Sequence, residues 1–331
     1  MSEQSVDILV VGDGVSAKAL LWELEQQISE KKILQVSSDK LFPKTSLSST
    51  AIVAKHGMRT GVSPLGDLLC QGVEHFMKNV YSTGLMGMEK SSFFDLSHKT
   101  DLEKLESRYG KVELCEPGCL PYGQTQPDVY FTLEDCIFIN PKVFLSSLDE
   151  QFNIPLKNKT LIGVEDHCAF FLGGDKIHFK KLILCHGIGL TQLSGLGIKT
   201  EKTIKEVPGA FLRWKINLDV KSFAYGLGGS NLVYRKDDQS LMLGGSTQQK
   251  EIFSADHEAL KSFYNKALSF GLDWIPSLET AEVLIGARVK GPKRTPLFEE
   301  IKDDVFILGA AYKNGWSQAF WGAKKICSEL L

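Results

Sequence analysis

A short β-branched block, Asp7 to Val11 with its apolar run Ile8 to Val11, stops at Gly12-Asp13-Gly14, and apolar residues resume at Ala17, Leu20, Leu21 and Leu24. The block predicts a strand and the spaced set predicts one face of a helix, so the glycines between them mark a strand-to-helix turn. The far end of the chain repeats this order: strand Val305 to Leu308, a glycine-containing loop, then a helix from Trp316 with Phe320, Ala323, Ile326 and Leu330 on one stripe. Between them, Ile33 to Val36 predicts a second strand, and Gly66 to Val80 a helix with Leu68, Leu69, Val73, Phe76 and Val80 inward. Asn140-Pro141 opens a further helix, with Val143, Phe144, Leu148 and Phe152 facing the core. Thr160 to Gly187 predicts an antiparallel strand pair around Gly173-Gly174-Asp175, followed by a separate apolar strand from Leu182 to Cys185. β-rich stretches surround Gly209 to Thr247, and Ala255 to Phe270 reads as a helix. Ser91 to Phe138 follows no single period, and its turn-rich run Glu116 to Gly123 is a candidate domain boundary.

Composition narrows the class. The chain has 331 residues, 43% hydrophobic and 24% charged, enough to bury a sizeable core. That length suits two domains of roughly 100–200 residues each. The net charge is -2 with Lys and Arg spread along the chain, which excludes a nucleic-acid footprint and favours a small-molecule partner. No basic leader precedes Ile8 and no apolar run reaches about 18 residues, so the reading is a soluble, cytoplasmic protein without a membrane partner. The seven cysteines are scattered, and Cys115-x-x-x-Cys119 has no second pair to complete a zinc site. Reduced structural thiols and no metal are expected.

The first turn carries candidate chemistry. Gly12-Asp13-Gly14-Val15-Ser16-Ala17 is the G-x-G-x-x-A form of the dinucleotide fingerprint: a tight turn, close backbone approach to a pyrophosphate, and helix-on-strand packing. The acid that would hold a ribose at the end of the second strand is missing. Ser37 and Ser38 stand there, and Asp39 comes late. Lys40 and Lys44 would suit a 2′-phosphate, which keeps an NADP-dependent reductase as an alternative. The run Thr45 to Gly57 is either an ordinary loop or a bed of hydroxyls and N–H groups around a phosphate. The two helix N-termini would meet one extended ligand, the first at its pyrophosphate and the second at a ring that becomes anionic on reduction.

In this order of signals the sequence resembles the FAD-dependent amino-acid oxidase family (D-amino-acid oxidase-like), in particular its glycine oxidase and sarcosine oxidase branch. Besides the fingerprint, the resemblance rests on "KTSLSSTAIVAKHGM", "FINPKVFLSSL", "KLILCHG", "NLVYRKDDQSLMLGGSTQ", "GARVKGPKRTPLF" and "FILGAAYKNGWSQAF". It implies an α/β fold: a Rossmann-like FAD-binding domain of the glutathione-reductase type (1–90, 137–205 and 284–331) with an inserted α+β substrate domain (91–136 and 206–283). It also implies bound FAD and hydride removal from the carbon bearing the nitrogen of an amino acid or amine. The cofactor contacts carried over are Gly12, Asp13, Gly14, Val15, Ser16, Ala17, Ser37, Ser38, Ser49, Thr50, Leu161, Gly187, Gly309, Asn314, Gly315 and Trp316. Arg288 would grip a substrate carboxylate, and Lys313 would supply positive charge near the substrate or the reduced ring. Departures are Ser37 in place of the ribose acid, Val289 in place of a proline, Lys313 for a common arginine and Ala311 for a frequent histidine. They keep open a flavin-binding protein without turnover.

Other candidates read as structural. His56 and His186 are expected to be ordinary hydrogen-bonded histidines, and Cys185 and His186, adjacent on a strand, point to opposite faces, which disfavours thiol chemistry. Tyr225, Tyr234, Tyr264 and Trp274 either line a pocket or fill the core.

Overall fold

The computed structural model describes residues 4–27, 31–38, 45–56, 58, 60–109, 112–245 and 256–330. Lys40 and Lys44 lie outside them. Strands β1 (Gln4–Val11), β2 (Ile33–Ser37) and β3 (Ile52–Ala54) accompany helix α1 (Val15–Gln27). Helix α2 (Pro64–His75) starts where Ser63 caps the Gly66 N–H (3.0 Å) and Pro64 presets the first turn, and it runs on through a π-helical turn, Phe76–Val80. Next come β4 (Met88–His98), α3 (Leu102–Tyr109), β5 (Glu113–Leu114), β6 (Val129–Ile139) and α4 (Pro141–Asp149). The strands β7 (Leu156–Asn158), β8 (Leu161–Glu165), β9 (Cys168–Phe171) and β10 (Lys176–Leu184) follow, then a helical segment Gly187–Leu196. The remainder is β11 (Lys205–Lys215), β12 (Phe223–Gly226), β13 (Asn231–Arg235), β14 (Ser240–Gly244), α5 (His257–Ser269), β15 (Glu282–Lys290), β16 (Leu297–Lys302), β17 (Val305–Gly309) and α6 (Gly315–Leu330).

These elements form a mixed α/β architecture of two sheets. The first has the order β16-β17-β10-β1-β2-β7, parallel except for β16, with β9 antiparallel to the first half of β10 and β8 antiparallel to β9. Along β1, Ile8 and Val10 face a core shared with α1, α4 and α6, while Leu9 and Val11 face the segment Gly187–Leu196 and β15. Burial on both faces explains why the strand reads as an uninterrupted apolar run. The second sheet, β15-β11-β14-β13-β12-β4-β6-β3 with β5 on β6, is antiparallel except where β12 joins β4. One of its faces packs on α5; the other carries Phe93, Ala224, Val233, Met242 and Phe211.

Three expectations change and one open alternative closes. The predicted hairpin around Gly173 and the predicted strand Leu182 to Cys185 share one continuous strand, β10, because β1 pairs along its whole length while its other edge passes from β9 to β17. Val143 is 38% exposed; Leu145 takes the inward position beside Phe144 and Leu148, since Asn140 caps the Val143 N–H and fixes the helix phase. Cys115 and Cys119 are bonded as a disulfide, their Cα atoms 6.0 Å apart, while Cys70, Cys136, Cys168, Cys185 and Cys327 are free and buried. Tyr225 and Tyr234 are fully buried on the α5 side, each hydroxyl bonded to backbone, Tyr225 to Tyr122 and Tyr234 to Leu218. No helix among the described residues is long and apolar enough to cross a membrane.

Candidate active site

The parallel strands of the first sheet end in register: Val36, Val11, Leu184 and Ile307 are successive cross-strand partners. Everything that follows a strand end therefore emerges on one edge, where ligands bind in open α/β sheets. Gly12 makes the turn out of β1 with φ +129°, its N–H donating to the Val36 carbonyl (2.8 Å) and its carbonyl accepting from Gln35 Nε2 (2.8 Å). A Cβ there would lie 2.4 Å from the Cys185 carbonyl oxygen. At Gly14 an added Cβ would meet only the Ser46 hydroxyl, at 3.2 Å. That hydroxyl also accepts the Val15 N–H (3.1 Å), so the loop after β2 supplies one partner at the start of α1. Asp13 is held inside the turn by Lys18 (2.9 Å), which also pairs with Asp149.

Two cavities open along this edge. The first, about 380 Å³, is walled by Gly12 to Ser16, Ser37, Ser38, Thr45, Ser46, Lys159 to Leu161, and residues of the Cys185 to Leu196 stretch including Gly187. The second, about 260 Å³, lies between the two sheets and has Ser49, Thr50, Arg288, Gly309, Lys313, Gly315 and Trp316 in its wall, with Phe211, Asn231 and Gly244 of the second sheet opposite. Val15, Ser16, Thr45, Ser46 and Gly187 line both. The N-terminal ends of α1 and α6 thus reach one continuous wall. Trp316 Nε1 donates to Ser49 Oγ (3.3 Å), and Thr45 Oγ1 to the Ala287 carbonyl (2.8 Å), fastening the small-residue run between α6 and β15.

Most sequence-derived candidates therefore assemble, and two do not. Ala17 is fully buried between α1 and the sheet, and the Asn314 carbonyl begins α6 by accepting the Gln318 N–H (3.0 Å). Neither is in a cavity wall. Sequence reading missed Phe211, Asn231 and Gly244, although the glycine pairs Gly228-Gly229 and Gly244-Gly245 were a signal that backbone there approaches something closely. Ser46 falls in the run Thr45 to Gly57, and the structure decides for hydroxyls facing a cavity.

No carboxylate or imidazole is among the described lining residues of the second cavity; Arg288 and Lys313 are its charged groups. Burial lowers the pKa of Arg288, opposed by Tyr312. Burial also lowers that of Lys313, and Arg288 and Arg294 add to the effect against an opposing contribution from Tyr312. Ala310 and Tyr312 hold left-handed backbone (φ 55° and 54°) between β17 and α6, strain of a kind found where loops are shaped for a ligand.

His186 differs from expectation. His186 has both ring nitrogens out of solvent and without a hydrogen-bond partner, and burial pushes its pKa down to about 4 against a weaker opposing effect of Gly189. His56 lies 3.8 Å from Asp95 and its ring packs 4.2 Å from that of Phe93.

No protein-family profile and no curated protein matches the chain. Solved structures do. Iminodiacetate oxidase from Chelativorans sp. BNC1 superposes with a TM-score of 0.77 at 14% identity, over 97% of this chain and 94% of its own. Glycine oxidase from Geobacillus kaustophilus gives 0.77 at 14% identity, over 99% and 95%. L-alpha-Glycerophosphate oxidase from Mycoplasma pneumoniae, solved with FAD bound, gives 0.76 at 15% identity, over 99% and 95%. Over nearly its whole length, this chain has the fold of these oxidases.

Proposed function

We propose that the protein is an FAD-dependent oxidoreductase acting on the C–N bond of an amino acid or related amine. The observation that carries this reading is the shared wall: the N-termini of α1 and α6 meet one continuous pair of cavities, with Arg288 over the second. The residues present fit FAD. Gly12 leaves no room for a side chain, Gly14 leaves room for a ligand, and the two cavities together offer a dinucleotide an elongated bed. Gly12 to Ser16, Ser37, Ser38, Leu161 and Gly187 would hold its adenosine diphosphate half. Ser49, Thr50, Gly309, Gly315 and Trp316 would hold the ring half. Bound flavin would supply the hydride acceptor and hence the redox chemistry.

The chain's own residues would then orient and polarise. The Arg288 guanidinium would take a carboxylate with two parallel charge-assisted hydrogen bonds, fixing the angle of the reacting carbon. Lys313, with its neighbouring cations, would raise the local positive potential and favour an anionic substrate or reduced ring. Phe211 and the apolar residues beside it on the second sheet would keep water from the reacting carbon. In this reading 1–90, 137–205 and 284–331 bind the cofactor and 91–136 and 206–283 carry the substrate domain.

The test is reconstitution with FAD followed by anaerobic titration with amino acids and amines. Yellow protein whose colour passes into the supernatant on acid precipitation, and bleaches with a substrate, is the expected result. Protein that takes up no FAD refutes the reading, and yellow protein that nothing bleaches favours a binder without turnover.

A further inference from the structure

The face of the second sheet that carries Arg288 is polar at both ends and apolar between. Cross-strand pairing sets Thr132, Asp95, Gly226, Asn231, Gly244 and Phe211 in one row from β6 to β11, and directly paired residues present their side chains on the same face. Asn231, Gly244 and Phe211 are in the wall of the second cavity, and Asp95 lies two strands beyond Asn231, behind that wall. The strand between offers only Gly226. A Cβ there would lie 2.5 Å from Asp95 Oδ1, so the carboxylate reaches across β12.

This end of the face is acidic and incompletely bonded. Asp95 is 5% exposed, and His56 Nδ1 is 3.8 Å from its carboxylate. Thr132, its partner on β6, is 6% exposed and has a buried hydroxyl without a hydrogen-bond partner; one oxygen of Glu134 on the same face is in the same state. Burial and the charge of Asp95 both raise the Glu134 pKa, so added negative charge is already resisted there. Buried polar atoms are ordinarily satisfied. An unbonded hydroxyl between two carboxylates is suited to a cationic donor.

At the opposite end Arg288 Nη2 would be 3.9 Å from a Cβ on Gly245, just past the end of β14. From β14 to β12 is two strand spacings, or about 10 Å. We propose that the substrate carries a second, cationic amino group remote from its carboxylate, and that Asp95 is the residue that selects it. The proposal rests on Arg288 as the carboxylate contact. With a hydrogen bond of about 2.8 Å at each end, about 4.4 Å remains, which suits roughly two carbons between the two charged groups.

The experiment titrates FAD-loaded protein with two non-reacting probes, 3-aminopropanoate and propanoate, following the flavin absorbance. Expected is tighter binding of the amino probe, by about tenfold or more, in wild type. Asp95→Asn should erase that preference while leaving propanoate within about twofold. Equal binding of the two probes to wild type overturns the proposal and leaves the Arg288 reading intact. Binding of neither overturns the Arg288 reading and the proposal with it. An equal loss for both probes in Asp95→Asn gives Asp95 a structural role only and also overturns it. Should the variant not fold, the wild-type comparison decides alone.

Discussion

Replacing Gly12 and Gly14 by alanine, one at a time, separates what the fold requires from what a ligand requires. At Gly12 the backbone has φ +129°, and a Cβ would lie 2.4 Å from the Cys185 carbonyl oxygen and 2.7 Å from its carbon. Those are main-chain atoms, anchored by the Cys185 N–H donating to the Val11 carbonyl (2.8 Å), and they cannot swing aside as a side chain would. Left-handed strain costs about 1–3 kcal/mol and overpacking about as much again, so Gly12→Ala should lose roughly 2–6 kcal/mol of unfolding free energy. Gly14 is different. Its backbone is not left-handed, and the nearest atom to an added Cβ is the Ser46 hydroxyl at 3.2 Å. Gly14→Ala should therefore change stability by less than about 1 kcal/mol. Its effect should fall on the ligand: FAD affinity should drop by at least about tenfold, or about 1.4 kcal/mol, because the pyrophosphate needs that space. Urea unfolding of the FAD-free proteins measures the first effect and flavin fluorescence titration the second. A Gly12→Ala protein within about 1 kcal/mol of wild type would refute the close-approach argument. A Gly14→Ala protein with wild-type affinity would refute the placement of the dinucleotide.

Arg288→Ala should lower kcat/KM for a carboxylate substrate by about 10² to 10³, as expected for leaving a desolvated charge unpaired at about 3–5 kcal/mol, with flavin content unchanged. Arg288→Lys should recover only part, and anaerobic stopped-flow reduction measures both; an Ala variant within about threefold of wild type removes Arg288 from the site. His186 should make the fold acid-sensitive. Because its folded pKa lies near 4, below the ordinary value, the unfolded chain takes the proton first, so stability falls as pH drops from about 6.5 towards 4, by up to about 3 kcal/mol. Urea unfolding at pH 7 and pH 4.5 should show His186→Leu losing less over that interval than wild type, and equal losses would count against it. Thiol titration in denaturant should find five free cysteines before reduction and seven after, and seven before reduction would disprove the Cys115–Cys119 bond.

The helices and strands at the two chain ends were legible because each is continuously apolar or carries one clean stripe, and both cores confirm the inward positions. Val143 was misplaced because Val143 and Phe144 are adjacent and only the cap at Asn140 settles which turns inward. β10 reads as two strands because the partner on one edge changes halfway, from β9 to β17, while β1 accompanies it throughout. Of the site, the glycine turn, the serine run and Arg288 were readable as local motifs. The wall residue Asn231 and the proposed contact Asp95 were not. Their relation depends on β4 joining β12 in parallel and β13 following by a hairpin, a register that no local pattern encodes.

The aligned strand ends also set an order of events. β1 is complete early in synthesis, but its partner β10 and the next strand, β17, are made far later, and α6 last. The first cavity lacks part of its wall until the Cys185 to Leu196 stretch is in place, and the second until α6 docks, since Gly309, Lys313, Gly315 and Trp316 complete it. Contacts so distant in sequence close slowly. Cofactor capture is therefore a late event in the life of the chain, and a dinucleotide spanning both helix ends would act as a clasp, its binding energy added to whatever keeps the first and last elements together.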